Sequence, residues 1–209
     1  MPEVETVEGV YLFGFVRAVG SWEILRRKED AGRSLLRIAY RDVAAIVTPA
    51  EYAEPNIDAN SIVSHHRVID ETMRMETVLP APLGVVFRDR KVLLKFMRTE
   101  YETLDQGLTH VEGHWEVRIQ MDPPEGLVAL PEHREAASRA YSELKRFARS
   151  AVPFRVPDGR VFGAAFLVDR DHMAGFVERA EAVEASLDAA LSFDITWPWP
   201  PYDFVRLAT

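Results

Sequence analysis

Apolar residues run almost unbroken through Val10-Tyr11-Leu12-Phe13-Gly14-Phe15-Val16, the pattern of a strand covered on both faces. Leu35–Tyr40 and Val43–Val47 predict two more strands. Arg41-Asp42 between them suits a tight hairpin that lacks the usual Gly. Asp58 or Ser61 can cap a helix running to about Met75, with Ile62, Ile69 and Met73 sharing one stripe with His66. Leu79-Pro80-Ala81-Pro82 leads into a short apolar segment, Leu83–Phe87. Beyond it, Leu94, Met97, Tyr101, Leu104 and Leu108 recur at three- and four-residue spacing and predict one long helix, with Gly107 and Gly113 bracketing its end.

The second half has a different rhythm. Trp115–Met121 alternates strictly and predicts a half-buried strand, broken by Asp122-Pro123-Pro124-Glu125-Gly126. A helix from about Glu132 to Ser150 would bury Ala137, Tyr141, Leu144 and Phe147. Pro153–Val156 and Arg160–Val168 read as strands about a Pro157-Asp158-Gly159 turn. Asp169 or Asp171 would cap a further helix with Met173, Phe176, Ala180, Val183 and Leu187 inward, and Ser192–Thr196 closes as a strand. The resulting order, strand–helix–strand–strand–helix–strand, is that of the ferredoxin-like split βαβ arrangement. The expectation is an α+β protein of two domains. Residues 1–111 form an N-terminal α+β domain, and residues 112–209 form a ferredoxin-like (βαββαβ) domain ending in an extended aromatic and Pro-rich tail.

Composition narrows the chemistry. The 209 residues are 47% hydrophobic, enough for one large core or two small ones. The absence of cysteine removes disulfides, Cys-ligated zinc, iron–sulfur clusters and a Cys nucleophile. The acidic Met1-Pro2-Glu3-Val4-Glu5 lacks the basic-then-apolar layout of a signal peptide, and no apolar run approaches the roughly 18 residues that span a bilayer. A cytoplasmic location fits. The net charge of −8 works against nucleic acid and anionic membrane surfaces and leaves protein partners open.

Catalytic signatures are missing. There is no phosphate-binding Gly-x-x-x-x-Gly-Lys loop, no Gly-x-Gly-x-x-Gly after a strand and no Gly-x-Ser-x-Gly elbow. His65 and His66 are adjacent on a helix and point about 100° apart, which suits shared metal ligation poorly. His66 and Asp70, four apart, can meet on one face and are the residues an alternative enzyme or small-molecule sensor would use. His110 and His114 straddle a helix end, so a metal site is not expected there. Glu178, Glu181 and Glu184 line the solvated side of the last helix. Arg88-Asp89-Arg90-Lys91 reads as the charged entry to a helix. No cofactor is expected.

Trp197-Pro198-Trp199-Pro200-Pro201-Tyr202-Asp203-Phe204 carries the sharpest signal. Each Pro fixes φ and removes a donor, which excludes a helix interior or a central strand. The residues preceding prolines are pushed to extended conformations. A stiff ribbon of large rings must dock, on the chain's own body or on a partner, because exposed apolar area costs about 25 cal/mol per Å². Trp197, Trp199, Tyr202 and Phe204 are the candidate partner-binding residues.

Taken in order, Tyr11-Leu12-Phe13-Gly14, Val78-Leu79-Pro80-Ala81-Pro82-Leu83-Gly84-Val85-Val86-Phe87, Glu100-Tyr101, Ala164-Ala165-Phe166-Leu167-Val168-Asp169 and the tail resemble the gas vesicle protein F/L family (GvpF/GvpL) over essentially the whole chain. The Pro-Trp-Pro-Pro-Tyr-x-Phe ending is its most specific part. The chain departs from the family's common pattern at Pro82-Leu83 and Val85 around Gly84, and at Trp197 before the tail. The resemblance implies an accessory or minor structural component of gas vesicle assembly, without catalytic activity. It also implies that the partners are the small hydrophobic major shell protein and other vesicle accessory proteins.

Overall fold

A computed structural model describes residues 8–18, 34–53, 57–123, 128–157, 160–187 and 191–205. The N-terminal segment and parts of the turns expected at 122–126 and 157–159 lie outside these residues. The chain divides into two compact units with the boundary between Glu112 and Gly113, and the second extends to Phe204. The described residues form nine strands and five α-helices, and no helix among them is long and apolar enough to cross a membrane.

The first unit is built on strand β1 (Glu8–Arg17). On one side it pairs antiparallel with β3 (Val43–Glu51), and β3 pairs with β2 (Leu36–Tyr40) in a hairpin. On the other side it pairs with β4 (Val78–Pro80) and β5 (Val86–Phe87). Leu12, Phe13, Phe15 and Val16 are buried, as the unbroken apolar run required. The hairpin closes through Arg41 at φ 55°, a left-handed conformation that ordinarily favours Gly or Asn. At Gly14 the backbone of β4 comes so close that a Cβ would sit 2.7 Å from the Leu79 carbonyl oxygen.

Helix α1 (Ala59–Met75) starts in a full capping box. The Asp58 carboxylate accepts from the Ser61 N–H at 2.7 Å, and Ser61 Oγ accepts from the Asp58 N–H at 2.9 Å. Its buried face is His65, Val68, Ile69, Thr72 and Met73. Ile62 and His66, placed on the inward stripe by the sequence pattern, are exposed instead. The single long helix expected around 94–108 is two: α2 (Arg90–Thr99) and α3 (Tyr101–Val111), broken at Glu100 (φ −94°, ψ 12°). The break lets Tyr101 reach the β2–β3 turn. Its hydroxyl donates to Asp42 Oδ1 at 2.5 Å, and Arg41 lies 4.6 Å from its ring centre. The buried residue at the start of α2 is Leu93, with Leu94 half-buried beside it.

The second unit runs β6 (His114–Asp122), α4 (Pro131–Leu144), β7 (Ser150–Pro153), β8 (Phe162–Asp169), α5 (Met173–Ala185) and β9 (Ser192–Trp199). Its sheet is antiparallel in the order β7-β8-β6-β9. Val117, Ile119 and Met121 of β6 and Ala164, Phe166 and Val168 of β8 pack with the inward residues of α4 and α5 into one core. Ala136, Ala137 and Ala140 give α4 a small-residue face there, and Met173, Phe176, Ala180 and Val183 of α5 are inward as the pattern predicted. Phe147 is not in that core. The α-helix ends at Leu144 and a 3₁₀ turn (Lys145–Phe147) leaves the ring 52% exposed, with the Arg179 guanidinium 5.1 Å from its centre. Strand β7 also begins three residues earlier than the apolar pattern suggested.

Candidate partner-binding site

The aromatic tail grows directly out of β9, an edge strand of the second sheet. Only an edge tolerates Pro198 in a strand, because its missing N–H would otherwise break a ladder. The ladder adapts. Glu116 of β6 faces Trp199 while Arg118 faces Thr196, so β9 carries an extra residue around Trp197-Pro198. The Trp197–Pro198 peptide is cis. Pro200 and Pro201 are buried, and a 3₁₀ turn (Tyr202–Phe204) follows.

A buried carboxyl group fastens this ribbon. Glu116 is fully buried, although it lies on the opposite side of β6 from Val117 and Ile119. Its Oε2 accepts from the Asp203 N–H at 2.9 Å and its Oε1 accepts from Arg118 Nε–H at 2.6 Å. Arg118 also pairs with Asp203 Oδ2 at 3.0 Å, and its guanidinium lies 5.2 Å from the Trp199 ring centre. Trp199 Nε1–H donates to Thr196 Oγ1 at 3.0 Å. Burial pushes the Glu116 carboxyl up to about 8, outweighing the opposing pull of Arg118 and of the Asp203 N–H.

The four candidate residues therefore divide. Trp199, Tyr202 and Phe204 are half-buried on the clasp, and Trp197 projects with 44% of its surface exposed. Sequence reasoning missed Glu116 and Arg118. The only available signal was their i, i+2 spacing on an alternating strand, which places both on the face opposite the apolar residues.

The sequence matches the family described as "Gas vesicle synthesis protein GvpL/GvpF" over residues 9–140 and 128–206. The chain belongs to the GvpL/GvpF family. This GvpL/GvpF protein is 26% identical over 204 residues to gas vesicle protein F1 of Halobacterium salinarum, covering 96% of this chain and 94% of that one. It is 24% identical over 192 residues to gas vesicle protein L of a Streptomyces species, covering 72% and 70% respectively. The crystal structure of GvpF from an Anabaena species superposes with a TM-score of 0.81 at 15% identity, covering 97% of this chain and all of that one. GvpF from Microcystis aeruginosa superposes at 0.77 with 16% identity. These two likenesses concern the fold.

In this GvpL/GvpF chain neither residue of the alternative reading is the buried histidine, although the His66 ring lies edge-on to it with centres 6.2 Å apart. Asp70 takes the Arg74 guanidinium at 2.8 Å, and His66 is exposed. The histidine turned inward is His65. The Tyr11 hydroxyl, which accepts from the Gly84 N–H at 3.2 Å, donates to His65 Nδ1 at 2.8 Å, and His65 Nε2–H donates to the Ala81 carbonyl at 3.1 Å. Burial pushes the His65 pKa down to about 4, so the ring is neutral, and its nitrogens tie α1 to Tyr11 of β1 through Nδ1 and to the β4–β5 connection through Nε2. Among the described residues, no group of three or more His, Asp or Glu side chains is placed to hold a metal ion.

Proposed function

We propose that this chain is a non-enzymatic accessory or minor structural protein of gas vesicle assembly, acting in the cytoplasm and at the vesicle, and that it binds the hydrophobic major shell protein through its aromatic tail. The observation that carries the reading is Trp197, a large apolar ring left 44% exposed on an edge strand. Such an edge can receive a partner's extended segment, with apolar rings supplying the affinity and ladder groups the register. The clasp through Glu116, Arg118 and Asp203 supports this role, since a ribbon already held in shape loses little conformational freedom on docking. Other vesicle accessory proteins are further partners in this reading; nucleic acid and membranes are not.

The same reading takes residues 1–111 and 112–209 as two domains and the second as ferredoxin-like. Its support is the βαββαβ order, with β6 and β8 adjacent at the centre of the sheet and β9 and β7 at its edges.

Co-purification with the major shell protein tests the proposal. Trp197→Ala should leave the circular dichroism spectrum unchanged and abolish co-purification, and the fourfold variant with Trp199, Tyr202 and Phe204 also changed to Ala should behave the same if it folds. Undiminished co-purification and normal vesicle formation with Trp197→Ala would refute the tail's role.

A further inference from the structure

We propose that the exposed face of α2 is a docking surface for an acidic polypeptide segment. The stretch Arg88–Thr99 holds five basic residues, Arg88, Arg90, Lys91, Lys95 and Arg98, in a chain where acidic residues outnumber basic ones 33 to 25. All five are exposed. Lys91, Lys95 and Arg98 fall at i, i+4 and i+7 of α2 and form a stripe about 10 Å long at 1.5 Å per residue, and Arg88 lies just before the N-cap Asp89. Among the described residues, no carboxylate pairs with any of the five, whereas Arg17, Arg37, Arg118 and Arg179 each have at least one.

Helix stability accounts for Arg98, a cation in the last turn, but not for the N-terminal part of the stripe. The first turn of α2 contains no acidic residue and begins with Arg90 and Lys91, at the end where the helix dipole disfavours cations. Lys91 and Lys95 repel each other at i, i+4. The nearby carboxylate, Asp89, accepts from the Val92 N–H at 2.9 Å as the N-cap and lends its charge to the helix end. Two local rules are thus broken on one face, a conflict expected where a surface serves binding.

The opposite face holds the stripe in place. Leu93 and Met97 are fully buried, and Phe96 packs on Phe15 and Phe87 with ring centres 6.2 and 5.3 Å apart. The cations are therefore presented on a rigid rod.

The occupant is a protein segment because the attraction is local. Screening limits the stripe's field to about 8 Å at physiological salt. A duplex or an anionic bilayer extends its charge well past one helix face, where the net charge of −8 opposes it. A short segment with carboxylates at helical spacing matches the stripe, and Val92, 42% exposed beside it, offers an apolar contact.

The test uses the full chain and a fluorescent poly-glutamate peptide of about 20 residues, read by anisotropy at about 50 and about 300 mM NaCl. The peptide should bind, and affinity should fall about tenfold or more with the added salt. It should fall by a similar factor in the triple variant Lys91→Gln, Lys95→Gln, Arg98→Gln. The control Arg134→Gln, Arg139→Gln removes two exposed cations of α4 and should leave binding within about twofold. Circular dichroism melting should show the triple variant at least as stable as the parent; if it is not folded, Lys95→Gln alone should lower affinity measurably. Absence of peptide binding, equal binding by the variants, or tighter binding of a duplex DNA or of phosphatidylserine-containing vesicles than of the peptide would each overturn the proposal.

Discussion

Replacing Glu116 by Gln should remove a large share of the pH dependence of the second unit's stability. The carboxyl is fully buried and its pKa is raised from 4.5 to about 8. The native state therefore holds this proton more tightly than the unfolded chain does. The stabilisation is complete below about 4.5, declines as pH rises through the window, and is gone above about 8. One proton gives a slope of at most about 1.4 kcal/mol per pH unit, so raising pH by about two units inside the window removes about 2–3 kcal/mol. Gln keeps an acceptor for Arg118 but presents an amide to the Asp203 N–H, which lowers stability at every pH by about 1–2 kcal/mol. Comparing both proteins at both pH values cancels that constant and the contributions of other titrating groups. Urea unfolding followed by tryptophan emission is a suitable assay, because three of the four tryptophans, Trp115, Trp197 and Trp199, lie in the second unit. A pH effect that is equal in the two proteins, or larger in Glu116→Gln, would refute the reasoning. It would mean that Arg118 and the Asp203 N–H keep the carboxylate ionised despite its burial.

In the first unit, His65 should titrate near 4, read by NMR of its ring proton, because burial disfavours the charged ring; a midpoint near the ordinary 6.5 would contradict the burial argument. Tyr11→Phe leaves His65 Nδ1 and the Gly84 N–H without that hydroxyl and should cost about 1–3 kcal/mol in urea unfolding, whereas an unchanged midpoint would show that the network contributes nothing. Gly14→Ala forces a methyl against the Leu79 carbonyl and should cost about 1–3 kcal/mol; wild-type thermal stability would show that β4 can move away freely.

Periodicity located most elements but misjudged several faces. The strand at Val10–Val16 was legible from its unbroken apolar run and that at Trp115–Met121 from its period of two, both of which are local patterns. The inward turn of α1 was not. Ile62 and His66 satisfy a helical stripe as well as His65, Val68 and Thr72 do, and only the position of Tyr11 and Phe13 on β1 selects the second set. The break at Glu100 left no trace in the spacing of Met97, Leu104 and Leu108, since a tertiary contact of Tyr101 with Asp42 accompanies it. At the candidate site the tail was readable from its prolines and rings. Glu116 and Arg118 were invisible as its fasteners, because a charged residue on the outer phase of an alternating strand is ordinarily a solvated one.

The amino-acid order alone determined that Trp197–Trp199 is extended, that cysteine chemistry is absent, and that the second half alternates strands with helices. Those properties follow from local sterics and from which atoms are present. Tertiary structure alone decided which rings of the ribbon stay exposed, which histidine is buried, and that a carboxyl group lies beneath the tail. Each of these depends on residues far apart in the chain, brought together in a low-dielectric interior where a neighbour's charge or a missing water changes the chemistry of a side chain.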